Sequence, residues 1–139
     1  MISLKPTTDA TLLHALHKKT FPGDKPPAFN VGAWWVLSNQ GEAIGFCGLH
    51  PSSQWSDAAY MIRAGVVASH RGNGLQKRLI RVREQFAKRS GLAWLITDTY
   101  RNPASSNSLI ATGFKIYRPA SPWGAKETIY WRKSLKGLA

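Results

Sequence analysis

The sequence predicts a single α/β domain, with a mixed, mostly antiparallel sheet, two parallel central strands numbered four and five, and helices on both faces. Two stretches carry most of that prediction. Ala58 to Val67 is a strand-like run ending in the loop Arg71-Gly72-Asn73-Gly74, and the segment after it has helical apolar periodicity. Leu92 to Thr97 is apolar on both alternating sets, the pattern of a strand covered on both faces. Strand, helix and strand in that order imply a right-handed β-α-β crossover, which sets the fourth and fifth strands parallel. At 139 residues, 43% hydrophobic and 11% aromatic, the chain fits one domain over residues 1–139 with a core of its own.

Taken in order, Met1 to Lys5 alternates as a short first strand. Thr7, Thr8 or Asp9 caps the following helix, whose apolar stripe is Leu12, Leu13 and Leu16. His14 and His17 sit three apart on it, which is also metal-ligand spacing. With no third ligand nearby, no metal is expected, and both rings are read as solvent-facing or rim. Pro22, Gly23, Pro26 and Pro27 make Phe21 to Asn30 an irregular loop.

Ala33 to Leu37 and Ala43 to Leu49 read as strands joined by the turn Asn39-Gln40-Gly41-Glu42, hence antiparallel. Cys47 lies in the second of these runs and is read as a packed strand residue. His50 to Asp57 is a polar loop. In the helix after the glycine loop, Leu75, Leu79, Ile80, Val82 and Phe86 form the apolar set, with Lys77, Arg78, Arg81, Arg83, Lys88 and Arg89 opposite. Gly91 ends that helix. Residues 103–112 form a short helix ended by Gly113, and Phe114 to Tyr117 and Thr128 to Lys133 are the last two strands.

Nineteen Lys and Arg stand against seven Asp and Glu, a formal net charge of +12 with a pI near 10.4. Such a chain attracts anions over some distance, whether polyphosphate cofactor, acidic protein or nucleic acid. A single cysteine excludes an internal disulfide and suits a reducing compartment, so a cytoplasmic location is expected. Residues 1–20 lack a signal-peptide core, and no window approaches the roughly 18 apolar residues of a membrane span.

The glycine loop is where chemistry is expected. A helix start exposes backbone N–H groups without partners, and their dipoles sum to a partial positive charge. Gly72 and Gly74 in front of it allow positive φ and a close approach of backbone to a phosphate, and Arg71 adds a permanent charge. Two other phosphate motifs are excluded by spacing. The Walker pattern Gly-x-x-x-x-Gly-Lys-Ser/Thr is absent, and the dinucleotide fingerprint needs a third Gly where Lys77 stands.

Through Arg71-Gly72-Asn73-Gly74, Asn102-Pro103-Ala104-Ser105 and Gly113-Phe114, and an element order that runs almost its full length, the chain resembles the GCN5-related N-acetyltransferase (GNAT) superfamily. The resemblance implies transfer of an acetyl group from acetyl-CoA to a primary amine of a small molecule, peptide or protein, by direct attack. Cofactor-binding positions follow by correspondence. They are Gly65, Val66 and Val67 at the end of strand four, Arg71, Gly72, Asn73, Gly74, Leu75 and Gln76 in the loop and helix start, and Asn102 with Ser105. A backbone N–H of Val66 or Val67 would hold the thioester carbonyl, which places Val67 among the catalytic groups.

The chain also departs from the pattern. Gln76 replaces a small residue at the end of the loop motif, Leu109 stands where many relatives carry a tyrosine acid, and Ile62, Arg63 and Thr97 stand where a carboxylate is common. Asp98, Tyr100 and His50 remain as groups for proton handling, with ordered water as the other route. Loops 21–31, 50–57 and 118–127 would shape the acceptor pocket. Two other readings stay open here: a basic nucleic-acid-binding or CoA-sensing relative without turnover, and acetylation of a nucleic-acid-linked amine such as an aminoacyl-tRNA. A monomer or homodimer is expected.

Overall fold

The computed structural model describes residues 1–136. The elements follow the sequence closely: β1 (Ile2–Pro6), α1 (Ala10–Thr20), β2 (Ala33–Asn39), β3 (Glu42–Pro51), β4 (Ala58–Val66), α2 (Leu75–Arg89), β5 (Trp94–Thr99), α3 (Pro103–Ala111), β6 (Lys115–Tyr117) and β7 (Ile129–Ser134). A single 3₁₀ turn, Ala68–His70, lies between β4 and the glycine loop. The strands form one sheet in the order β1-β2-β3-β4-β5-β7-β6. Strands β4 and β5 pair parallel, as expected from the crossover, while β1–β2, β2–β3, β5–β7 and β6–β7 are antiparallel. No helix among the described residues is long and apolar enough to cross a membrane.

The chain forms two compact units. The first comprises Met1–His50 and Ile62–Leu79, the second Pro51–Met61 and the chain from Ile80 onward. In the first unit Asp9 caps α1 by accepting from Leu12 N at 3.1 Å. Gln40 and Gly41, with φ of 51° and 84°, close the β2–β3 hairpin, a primed turn that suits strand twist. Alternation along β3 puts Phe46 toward α1, packed with Leu13, Leu16, Phe29 and Trp34. Cys47 faces the other way and lies 3.9 Å from the Leu79 carbonyl of α2. Helices thus cover both faces of β3.

His17 is the main departure on α1. It is 2% exposed, stacked on Phe21 at 5.3 Å and edge-on to Phe46 at 6.2 Å, so it belongs to the core and not to the rim. The spacing could have shown this, since Leu13, Leu16 and His17 fall on one helical stripe. His14, one position off, is exposed and packs its edge on Phe29.

Burial, helped by the Arg63 guanidinium and opposed by Asp24, lowers the His17 pKa below its ordinary 6.5. The unfolded chain therefore takes up a proton near 6.5 that the folded chain refuses until lower pH, so this stability is complete above 6.5 and lost as pH falls beneath it. His50, also lowered by burial, acts with the same sign. Thermal midpoints should fall between about pH 7 and 5, and His17→Leu should flatten that profile. Identical profiles for the two proteins would contradict a neutral core histidine.

In the second unit, residues paired across antiparallel strands share a face. Leu95, Thr97 and Thr99 pair with Lys133, Trp131 and Ile129. Lys133 Nζ donates to Glu84 Oε1 of α2 and to the Thr112 carbonyl after α3, both at 2.6 Å, so both helices reach this lysine. Burial works to raise the Glu84 pKa, but Lys133 and Lys88 outweigh it and hold the carboxyl below its usual value.

Two expectations for α2 are corrected. Arg83, assigned to the polar face, is 3% exposed, because Leu75, Leu79, Arg83 and Ala87 follow one another at intervals of four along the buried line. Phe86, assigned to the core, is 37% exposed. β3 also runs on through Pro51, so His50 is a strand residue and not the first of a loop.

Candidate functional site

The first unit builds the glycine loop from the end of β4. Gly65 has no room for a side chain: a Cβ there would stand 2.5 Å from Thr20 Oγ1 and 2.8 Å from Thr20 Cβ. Its glycine seats the last turn of α1, where Thr20 Oγ1 donates to the Leu16 carbonyl at 2.9 Å. The Gly65 carbonyl points toward β3, because a Cβ on Gly45 would lie 2.7 Å from it.

That orientation sorts the two amides expected to hold the thioester. A peptide's N–H points opposite to its C=O, so the Val66 N–H is directed away from β3. The Val67 N–H belongs to the next peptide and donates to the Ile44 carbonyl of β3 at 2.8 Å. Val67 is therefore already committed within the sheet, and Val66 is the amide turned outward. The Val66 carbonyl accepts from Arg71 Nε at 2.9 Å, which folds the arginine back along the strand end.

After the 3₁₀ turn, Asn39 Nδ2 and Ser69 Oγ lie 3.2 and 2.9 Å from the two His70 ring nitrogens, and Asn73 Nδ2 donates to the His70 carbonyl at 3.2 Å. Gly72 and Gly74 take φ of +83° and +73°, values a side chain makes costly, and no atom lies within 4 Å of where either Cβ would stand. The loop is an open cradle of backbone. It leads directly into α2, whose first turn holds no acidic residue and carries exposed Lys77 and Arg78. Leu75 is buried as the first anchor of α2, and Gln76 is half-buried behind it. The residues present fit a polyphosphate: the two glycines leave the backbone open, exposed Arg71, Lys77 and Arg78 add charge, and the first turn of α2 holds no carboxylate.

His50 lies in the same unit, edge-on to Trp34 at 5.6 Å. Burial lowers its pKa, with the backbone of Ala28 and Val31 acting in the opposite direction, and its Nε2 is buried with no hydrogen-bond partner.

The second unit places Asp98, Tyr100, Asn102 and Ser105 along the exit of β5 and the start of α3. Asp98 Oδ2 accepts from Tyr60 OH at 2.7 Å and from Trp123 Nε1 at 2.6 Å. Neither donor was singled out by the sequence, although a Trp between Pro122 and Gly124 in a polar loop was a signal that it is held by something. Tyr100 is 49% exposed and lies under the Arg101 guanidinium at 5.2 Å. Asn102 Oδ1 accepts from Ser105 N at 3.1 Å, so its oxygen caps α3 and its amide nitrogen is left for other use. Leu109, at the position of the missing tyrosine, is 4% exposed core. Among the described residues no group of His, Cys, Asp and Glu is arranged for a metal.

A model of the acetyltransferase (GNAT) family matches residues 10–114. A search of curated protein sequences finds no match. Among solved structures, an IAA acetyltransferase from Bacillus cereus superposes with a TM-score of 0.78 at 17% identity, covering 96% of this chain and 99% of that one. The ribosomal-protein-S18-alanine N-acetyltransferase of Escherichia coli gives 0.75 at 16% identity, covering 100% and 97%. A Bacillus subtilis acetyltransferase in complex with CoA gives 0.76 at 14% identity, covering 96% and 99%. At these identities the likeness is one of fold.

Proposed function

The chain belongs to the acetyltransferase (GNAT) family, and on that premise we propose that it is an acetyl-CoA-dependent N-acetyltransferase acting on a primary amine. The observation that carries the reading is the loop from Arg71 to Gln76, with two left-handed glycines, open space at both Cβ positions and a helix start free of acidic side chains. A complex of a structural neighbour with CoA supports the same donor.

Acetyl-CoA would supply an acetyl thioester, an acyl group activated for attack by a neutral amine. In this reading the amides of Gly72, Asn73, Gly74, Leu75 and Gln76 hold phosphate oxygens, and the N–H groups of Arg71 not used on Val66 add charge. The outward Val66 N–H is the donor for the thioester oxygen, a role that Val67 can share only by releasing Ile44. The free amide nitrogen of Asn102 and the hydroxyl of Ser105 hold the pantetheine arm. His50 Nε2 is sealed from solvent and Tyr100 is on the surface, so as the C–N bond forms and the C–S bond breaks the amine's proton would pass through water to the departing CoA thiolate, with the protein contributing orientation.

Incubating the protein with isotope-labelled acetyl-CoA and a cell extract, then searching by mass spectrometry, should reveal a labelled N-acetyl product. No labelled product above a Gly74→Asp control would count against turnover. The exposed cations Lys77, Arg78, Arg81 and Arg89 on α2 suit a polyphosphate donor and would also draw nucleic acid. Tight, steeply salt-dependent RNA binding without turnover would favour a non-catalytic role instead.

A further inference from the structure

The second unit holds a cluster that the donor reading does not use. Trp94, Ile96 and Asp98 alternate with the residues that share the face of Lys133, and their partners across β7 are Ser134, Arg132 and Tyr130. On this side Asp98 is half-buried, and both of its hydrogen bonds, from Tyr60 OH and Trp123 Nε1, go to Oδ2. Among the described residues no Lys, Arg or His lies within ion-pair distance of the carboxylate, in a chain of net charge +12.

Two aromatic side chains meet it through their polar edges. Tyr60 and Trp123 stand perpendicular with centroids 6.1 Å apart, and Trp123 meets Tyr130 at 4.7 Å and 76°. The Tyr130 hydroxyl accepts from Gly124 N at 2.8 Å, which fixes the loop that carries Trp123, and Trp123 remains 37% exposed. The next position on the same face shows what such rings do with a cation. Arg132 lies over Trp94 at 5.0 Å, Tyr117 at 5.1 Å and Trp55 at 5.9 Å.

We propose that Asp98, with the rings of Tyr60, Trp123 and Tyr130 beside it, is a binding site for an organic cation carrying an ammonium or quaternary ammonium group. A carboxylate fixed by two hydrogen bonds on one oxygen, with no cation paired to it among the described residues and the exposed Trp123 ring beside it, is complementary to such a charge.

Tetramethylammonium chloride is the probe, titrated into the isotope-labelled full chain at constant ionic strength against sodium chloride. The indole N–H resonance of Trp123, identified by its loss in Trp123→Phe, reports binding. A saturable shift with a dissociation constant on the order of millimolar is expected, weakened at least ~10-fold in Asp98→Asn, which keeps the shape and one acceptor oxygen. Trp123→Leu, followed through the remaining indole signals, should bind as weakly. A response no larger than that to sodium, or an unchanged constant in a folded Asp98→Asn, overturns the site. Calorimetry with acetyl-CoA separates the two ideas. Acetyl-CoA binding without a tetramethylammonium response rejects this site alone, and the reverse rejects the donor reading.

Discussion

Gly74→Asp should weaken acetyl-CoA binding at least ~10-fold while leaving the fold intact. The new side chain would sit at φ +73°, which costs about 1–2 kcal/mol for an ordinary residue and less for aspartate. More important, its carboxylate would stand in the open cradle at the start of α2, where amides and cations are otherwise free of negative charge. No atom lies within 4 Å of the new Cβ, so nothing in the protein must move. Displacement of a fluorescent CoA analogue measures the effect. An unchanged constant would remove the loop from phosphate binding.

Phe46→Ala should produce the largest loss of stability, about 3–5 kcal/mol, because it empties the centre of the cluster that joins α1 to β2 and β3. Phe46 is 0% exposed and touches His17, Phe21, Phe29 and Trp34 through ring contacts at 6.2–6.4 Å. Against a total of roughly 5–15 kcal/mol for a domain, that loss is severe. Urea unfolding checks it, and a loss under about 1 kcal/mol would mean that these rings do not pack as a unit.

Much of this was legible in the sequence because the signals were periodic or punctuated. The double-sided apolar run at Leu92 to Thr97, the Gln40-Gly41 turn and the glycines around Asn73 each have one dominant structural solution, and the elements fell within a few residues of expectation. Side-chain assignments on helices failed where a polar residue lay on the buried line. His17 and Arg83 were placed by residue type, but the helix places them by angle, and both are core. The reading of Val66 against Val67 was beyond the sequence, since it depends on which peptide plane faces Ile44. The partners of Asp98 were hidden for a similar reason: Tyr60 and Trp123 come from segments 38 and 25 residues away.

Local pattern pointed to an anion loop, and the family suggested acetyl-CoA as the donor proposed for it. Only the peptide orientation at Gly65 and Val66 distinguishes an amide turned away from β3 from one committed to it.

Calorimetry comparing acetyl-CoA with S-acetylpantetheine, which lacks the phosphates and the adenosine, tests most directly the proposal that the Arg71–Gln76 loop binds the pyrophosphate of acetyl-CoA. One-to-one binding of acetyl-CoA is expected, at least ~100-fold tighter than that of the fragment, since several charge-assisted hydrogen bonds are lost with the phosphates. Equal affinity for the two compounds, or no heat with acetyl-CoA at concentrations approaching roughly a millimolar, would contradict it.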